Sequence, residues 1–205
     1  LRCPECPSGL RSFTRPTGML NMDLFQKTID ETHTHAFYLT LYFQGEPYLN
    51  PLFLDMVRYA CSKKMYVSTS TNAHFLNEET ARKTVESGLD RLVISIDGTT
   101  QETYEQYRIG GQLEKVLEGT RLLLKWKKEL KSATPHVVFQ YLVVGPNEHQ
   151  ISEAEKLAKE LGVNEIAFKT AQVYDYQQGS PLIPQNQKYS RYKKNPDGSY
   201  SVQNK

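Results

Sequence analysis

The segment Arg91-Leu92-Val93-Ile94-Ser95-Ile96-Asp97-Gly98 ("RLVISIDG") places four aliphatic residues within six positions and then turns polar. So short an apolar run, rich in β-branched residues, reads as a buried strand. Residues 37–43 (FYLTLYF), 65–70 (MYVSTS), 137–143 (VVFQYLV) and 165–169 (EIAFK) have the same texture. Helix-period segments separate them. Phe53, Met56, Val57, Ala60 and Cys61 share one helical face, with Asn50 and Pro51 read as N-cap and first helical residue. Asn77 caps a helix that Gly88 ends. Leu113, Val116, Leu117 and Leu124 mark a longer helix, and Ala154, Leu157, Ala158 and Leu161 another, stopped by Gly162. One more runs around 22–32. This alternation predicts an α/β fold of right-handed parallel βαβ units. It leaves two architectures open, a doubly wound sheet and a closed or partial barrel.

A chain of 205 residues is one domain with room for a short appendage. The 25 basic and 23 acidic side chains nearly balance, so nothing argues for nucleic acid as a partner. No apolar run approaches the roughly 20 residues that a bilayer span needs, so no membrane role is expected. With three cysteines and no signal-peptide pattern, the expectation is a cytoplasmic protein. After Tyr176 the chain turns polar and rich in Pro, Gly, Gln and Asn. There "NPDGS" (195–199) is a turn signal between runs that could pair as a hairpin. The expected division is a core at 1–176 and a linker with hairpin at 177–205.

Polar residues gather just past the strands. Gly45 and Glu46 follow the first, Thr71 and Asn72 end or follow the second, Ser95 and Asp97 close the third, and Lys169 ends the last. In parallel α/β folds ligands bind at the carboxyl ends of strands, so together these residues describe one candidate site. Taken singly, each reads first as a helix cap or a turn residue; it is four at corresponding places that favour a binding site. The pair Cys3 and Cys6 is a CxxC. Thiolates select zinc or iron–sulfur clusters, but a lone CxxC is a weak signal and a redox couple stays open. Cys61, on an apolar helix face, reads as a small core residue. The basic run 125–131 (KWKKELK) reads as the solvated face of a helix, and His33 and His35 as loop residues.

In order along the chain, "LRCPECPSG", "QGEP", "STN", "ISIDG" and "ETYEQYRIGG" resemble the motifs of radical S-adenosylmethionine enzymes, in the subgroup with a C-terminal SPASM-type domain. The first resembles the family's CxxxCxxC loop with its first cysteine two positions before Leu1. The second has Gln44 where the family has glycine. The resemblance implies a partial parallel (β/α)6 TIM-like barrel whose first strand is missing here, and a fragment that ends before the auxiliary domain.

It implies cofactors as well: a [4Fe–4S] cluster held by three thiolates, Cys3 and Cys6 among them, and S-adenosylmethionine on its open iron. The Gly45–Glu46 stretch would receive the methionine amino group. Thr71, Asn72, Ser95 and Asp97 would contact the methionine or ribose groups, and Arg108 the carboxylate. Glu5 stands where the family often has an aromatic or apolar residue near the adenine. The implied reaction is reductive cleavage to a 5′-deoxyadenosyl radical that takes hydrogen from a peptide or small-molecule substrate. A flavodoxin or ferredoxin would be the electron donor. Two alternatives stay beside it: an S-adenosylmethionine-binding module without a cluster, and a zinc or redox CxxC protein. Nothing in the sequence selects the substrate.

Overall fold

The computed structural model of the chain describes residues 1–12, 14 and 16–203. Five strands form one sheet: β1 (Tyr38–Thr40), β2 (Tyr66–Thr71), β3 (Arg91–Ser95), β4 (His136–Val143) and β5 (Glu165–Thr170). All neighbours are parallel and lie in chain order. Helices α1 (Pro7–Leu10) and α2 (Met22–Thr32) precede β1. The crossovers carry α3 (Phe53–Ser62), α4 (Glu78–Glu86), the pair α5 (Gln101–Tyr107) and α6 (Leu113–Glu129), and α7 (Ile151–Leu161).

The core decides between the two architectures left open above. Val67, Leu92, Ile94, Ile96, Val137 and Phe139 pack in one cluster with Ile29 of α2, Val57 of α3, Val85 of α4, Val116 of α6 and Ala158 of α7. Tyr141 and Val143 continue that face onto Ala154 of α7. Every crossover that buries an apolar stripe therefore does so on one side of the sheet. The alternate strand residues, among them Thr40, Ser68, Ser70, Ser95, Gln140 and Lys169, fall on the other side. A doubly wound sheet needs helices on both faces. A one-sided parallel sheet in chain order is a partial β/α barrel, as the motifs imply, with an inner face that mixes these polar residues with Val93, Val138 and Leu142.

Two boundaries differ from the sequence reading by more than one residue. The first strand, expected over 37–43, is regular only over Tyr38–Thr40. Its ladder still extends one residue each way, through Tyr66 N to Phe37 O at 2.7 Å and Leu41 N to Ser68 O at 2.8 Å. Phe43 lies outside the ladder and is 83% exposed. The second boundary is the start of α3. Asn50 caps the segment as expected of an Asn, but through a turn: its Oδ1 accepts from Leu52 N at 3.0 Å and its carbonyl from Phe53 N at 3.0 Å. The α-helix therefore begins at Phe53, two residues after Pro51. The other edge of β1 has no strand beside it among the described residues. Next to it, Tyr38 stacks on Tyr66 with ring centroids 5.2 Å apart.

Beyond β5 the chain crosses the carboxyl ends of the sheet. Gly145 N donates to Leu182 O at 3.1 Å, and the Glu148 carboxylate accepts from Gln185 N at 3.1 Å and Asn186 N at 2.8 Å. The hairpin expected around 195–199 forms between β6 (Tyr192–Lys194) and β7 (Tyr200–Val202). Asn204 and Lys205, the end of the 177–205 segment, lie outside the described residues.

One close approach fixes the seat of α6. A Cβ on Gly119 would lie 2.7 Å from Leu76 Cβ and 3.0 Å from Leu76 O. Gly119→Leu should therefore lower unfolding stability by about 2 kcal/mol through overpacking, read as a drop in the urea midpoint.

Candidate functional site at the carboxyl ends of the strands

Glu46 follows β1 and reaches sideways to the end of β2. Its Oε1 accepts from Thr71 Oγ1 at 2.7 Å and Tyr48 N at 3.3 Å, and its Oε2 from Asn72 N at 2.8 Å. Burial pushes this carboxyl up from its ordinary range, against the pull of those hydrogen bonds. Past Thr71 the backbone turns left-handed at Ala73, with φ of 61°. Thr71 Oγ1 accepts from Ala73 N at 3.0 Å and Asn72 Oδ1 from His74 N at 3.0 Å. His74 then bridges to the next unit: its Nδ1 lies 2.9 Å from Asn72 O, and its Nε2 accepts from Gln112 N at 2.8 Å. Because Nε2 accepts, Nδ1 carries the proton and the ring is neutral.

The end of β3 carries a buried charge pair. Asp97 is fully covered and Arg108 nearly so, with 16% of its side chain exposed. Arg108 Nε meets Asp97 Oδ2 at 2.5 Å, and Asp97 Oδ1 accepts from Leu142 N at 2.7 Å on β4. Gly98 lets α5 approach: a Cβ there would lie 2.5 Å from Tyr104 N. Asn147, wholly buried, locks the next loop. Its Nδ2 donates to Asp97 O and Leu142 O, both at 2.9 Å, and its Oδ1 accepts from Val144 N at 2.8 Å.

The cysteine loop is seated on this framework. Arg2 N donates to Ile109 O at 3.0 Å, and Arg108 Nη1 lies 3.8 Å from Cys3 Sγ. Cys3 packs with Tyr107, Val144 and Ala171, and Cys6 joins the same cluster. Burial pushes the Cys3 thiol up, while the Arg108 guanidinium pulls it down. Cys6 caps α1, and a Cβ on Gly9 of that turn would meet Cys3 N and O at 2.6 Å. The Glu5 carboxylate accepts from Tyr174 N at 2.9 Å, which ties the loop to the segment after β5. A cavity of about 870 Å³ opens between this loop and the end of β1, lined by Ser8, Arg11, Thr17, Tyr42, Gly45 and Glu46 among others.

The residues singled out from sequence therefore lie at one end of the barrel, and two of the carboxylates among them already have protein partners. Asp97 is turned inward onto Arg108 and Leu142. Glu46 has a partner for each oxygen, so the surface it leaves open at the QGEP turn is chiefly backbone. Ser95 is buried on the inner face, at the level of Gln140. Cys61 stands apart on α3, where its thiol donates to Gly88 O at 3.2 Å and is pushed up to about 11 by burial. Among the described residues no three His, Cys, Asp or Glu side chains converge on a point that could hold a metal ion. Cys3 and Cys6 supply two thiolates, the donor type an iron–sulfur cluster takes. The sequence reading missed Asn147 and the Glu5–Tyr174 link. The Pro-Asn turn after β4 was a cue for Asn147; nothing local signals a bond spanning 169 residues.

A one-sided β/α barrel with a cysteine loop seated at the carboxyl ends of its strands defines a class of cofactor-dependent α/β proteins. The Radical SAM superfamily profile matches residues 1–161, and the chain belongs to that superfamily. It is 30% identical over 163 residues to an AdoMet-dependent heme synthase of Methanosarcina barkeri, covering 79% of this chain and 44% of that protein. It is 28% identical over 170 residues to a tungsten-containing aldehyde ferredoxin oxidoreductase cofactor-modifying protein of Pyrococcus furiosus, covering 80% and 46%. The chain thus spans less than half the length of either curated relative. The fold superposes on Streptococcus suis SuiB bound to S-adenosylmethionine with a TM-score of 0.67 at 12% identity, covering 85% of this chain and 39% of that one. The family uses a [4Fe–4S] cluster and S-adenosylmethionine, as the sequence motifs imply. No helix among the described residues is long and apolar enough to cross a membrane.

His74 provides a pH test of the site's frame. Burial lowers its pKa from 6.5, opposed by the Asn72 carbonyl and reinforced by Lys115 and Arg108. Its stabilising effect is complete above the unfolded value and is lost as pH falls toward the depressed folded one. Urea stability should therefore fall between about pH 7.5 and pH 5.5, and fall less in His74→Gln.

Proposed function

We propose that this chain is the catalytic core of a radical S-adenosylmethionine enzyme acting on a peptide or small molecule. The observation that carries the reading is the seating of Cys3 against Arg108, itself fixed by Asp97 at the barrel's carboxyl end. Cys3 and Cys6 would hold the cluster as two of its three thiolates. When bound, the cluster would supply one-electron reduction, fed by a flavodoxin- or ferredoxin-type donor, for cleavage of S-adenosylmethionine to methionine and a 5′-deoxyadenosyl radical that would take a substrate hydrogen.

The chain's own residues position and shield. Arg108 presents a fixed cation beside Cys3 for the methionine carboxylate. Gly45, at φ of 88°, opens the backbone of the QGEP turn to the amino group. The Asn72 amide side chain and Ser95 hydroxyl offer hydrogen bonds to the methionine or ribose groups, while Thr71 holds Glu46. Asp97 acts through Arg108 and Leu142, as a positioning residue. We further read residues 1–176 as the core and 177–205 as the linker and opening hairpin before a SPASM-type auxiliary domain. The β6–β7 hairpin at the end of the linker supports that division.

The test is anaerobic reconstitution with iron and sulfide of the protein together with its flanking sequence. Bound iron and sulfide, visible cluster absorption and reductive release of 5′-deoxyadenosine are expected, and Cys3→Ala or Cys6→Ala should abolish all three. Tight S-adenosylmethionine binding without any cluster would instead favour the binding-module reading, and stoichiometric zinc the CxxC reading. A separate check concerns the charge pair. Asp97→Asn leaves Arg108 buried without its counter-charge, so unfolding stability should drop by about 3 kcal/mol, measured by urea denaturation at neutral pH.

A further inference from the structure

The inner face of the sheet carries polar capacity that the fold does not consume. The side chains of Thr40, Tyr42, Ser70, Gln140 and Lys169 make no hydrogen bond or ion pair to any described residue, although each belongs to or directly follows a strand. Thr40, Tyr42 and Lys169 are exposed and Ser70 and Gln140 half-buried, so these groups are open to a ligand rather than engaged in the fold. The acids on this face are already spoken for. Asp97 faces Arg108, and Glu165, at the opposite end of the strands, faces Arg91 and His136 at 3.3 Å each. Among the described strand residues, the charge left over on the inner face is that of Lys169.

Register places Lys169 next to Gln140. Leu142 pairs with Lys169, and Gln140 pairs with Ala167 and with Ser95. Lys169 and Gln140 are therefore diagonal neighbours on adjacent strands, within reach of one another's long side chains. Ile166 and Phe168 pack on the helix side, which leaves Lys169 on the inner face, where it is exposed. Two residues further along, Ala171 packs in the cluster that contains Cys3 and Cys6. A group held by Lys169 thus sits one strand step from the cysteine loop.

We propose that Lys169 and Gln140 recognise an anionic group, a carboxylate or a phosphate, on the substrate, and thereby hold its remainder toward the cysteine loop. Lys169 supplies the charge, and Gln140 supplies a donor that fixes the orientation. This rests on the function proposed above, whose own failure shows separately, as absence of 5′-deoxyadenosine formation by the wild type.

The experiment titrates the cluster-loaded protein with two probes, inorganic pyrophosphate and glutarate. Binding of one of them is expected, with Lys169→Met weakening it about tenfold or more, Lys169→Arg largely retaining it, and the surface control Lys193→Met leaving it unchanged. Preference for pyrophosphate assigns a phosphorylated substrate, and preference for glutarate a carboxylate-bearing one. In the wild type the bound probe should protect Lys169 from acetylation, read by mass spectrometry of its peptide, which does not depend on any variant folding. Binding of neither probe, equal binding by Lys169→Met, or acetylation of Lys169 at an unchanged rate overturns the proposal.

Discussion

The buried pair of Asp97 and Arg108 is the constraint on which the upper end of this barrel depends. Taking two charges out of water is costly, and their attraction offsets that cost only with good geometry and additional hydrogen bonds. Both conditions are met. Asp97 has Arg108 on one oxygen and the Leu142 amide on the other, and Asn147 ties its carbonyl to the next loop. One carboxylate therefore joins β3, β4 and the end of α5 in a single frame. The cysteine loop adds itself to that frame through Arg108 and Ile109 and is closed from the far side by Glu5 on Tyr174. The loop's shape follows from a few charge-assisted contacts, since α1 is only four residues long and buries no residue of its own.

The strands and long helices were legible because their signals are local. Each strand is a short β-branched or aromatic run, each helix a periodic stripe, and Gly162 stops α7 in the left-handed conformation expected of it. Which side of the sheet the helices take was not legible, because periodicity describes one element at a time. Val137 and Phe139 against Val138 and Gln140 look alike until the helices are placed. The candidate residues could be grouped from sequence, since parallel strands bring their carboxyl ends together whatever the loops contain. Their individual roles were less readable. A carboxylate after a strand looks the same whether it meets a ligand or, like Asp97, a buried arginine 11 residues on. Asn147 was passed over because a Pro-Asn pair reads first as a turn, and only the three hydrogen bonds of its side chain show what the turn holds. The early boundary expected for α3 has the same origin: Asn50 caps through a turn that sequence cannot tell from a helix start.

A division of labour runs through the sheet. The helix side is apolar and continuous, and it provides the burial that stabilises the fold. The inner face mixes apolar residues such as Val93 and Val138 with polar ones, several of which have no side-chain partner among the described residues. Stability and ligand handling thus draw on alternate residues of the same strands. Phe139 can be judged by packing alone while its neighbour Gln140 is judged by what it could hold.

The bare edge of β1 carries a consequence of a different kind. Its outward N–H and C=O groups are unpaired among the described residues, and Phe37 and Phe43 stand beside it 80% and 83% exposed. Such an edge is a ready template for a strand from another molecule. Residues 1–205 on their own therefore present a short open edge flanked by exposed aromatic rings. Whatever strand or surface comes to lie along β1 covers apolar rings as well as pairing the backbone.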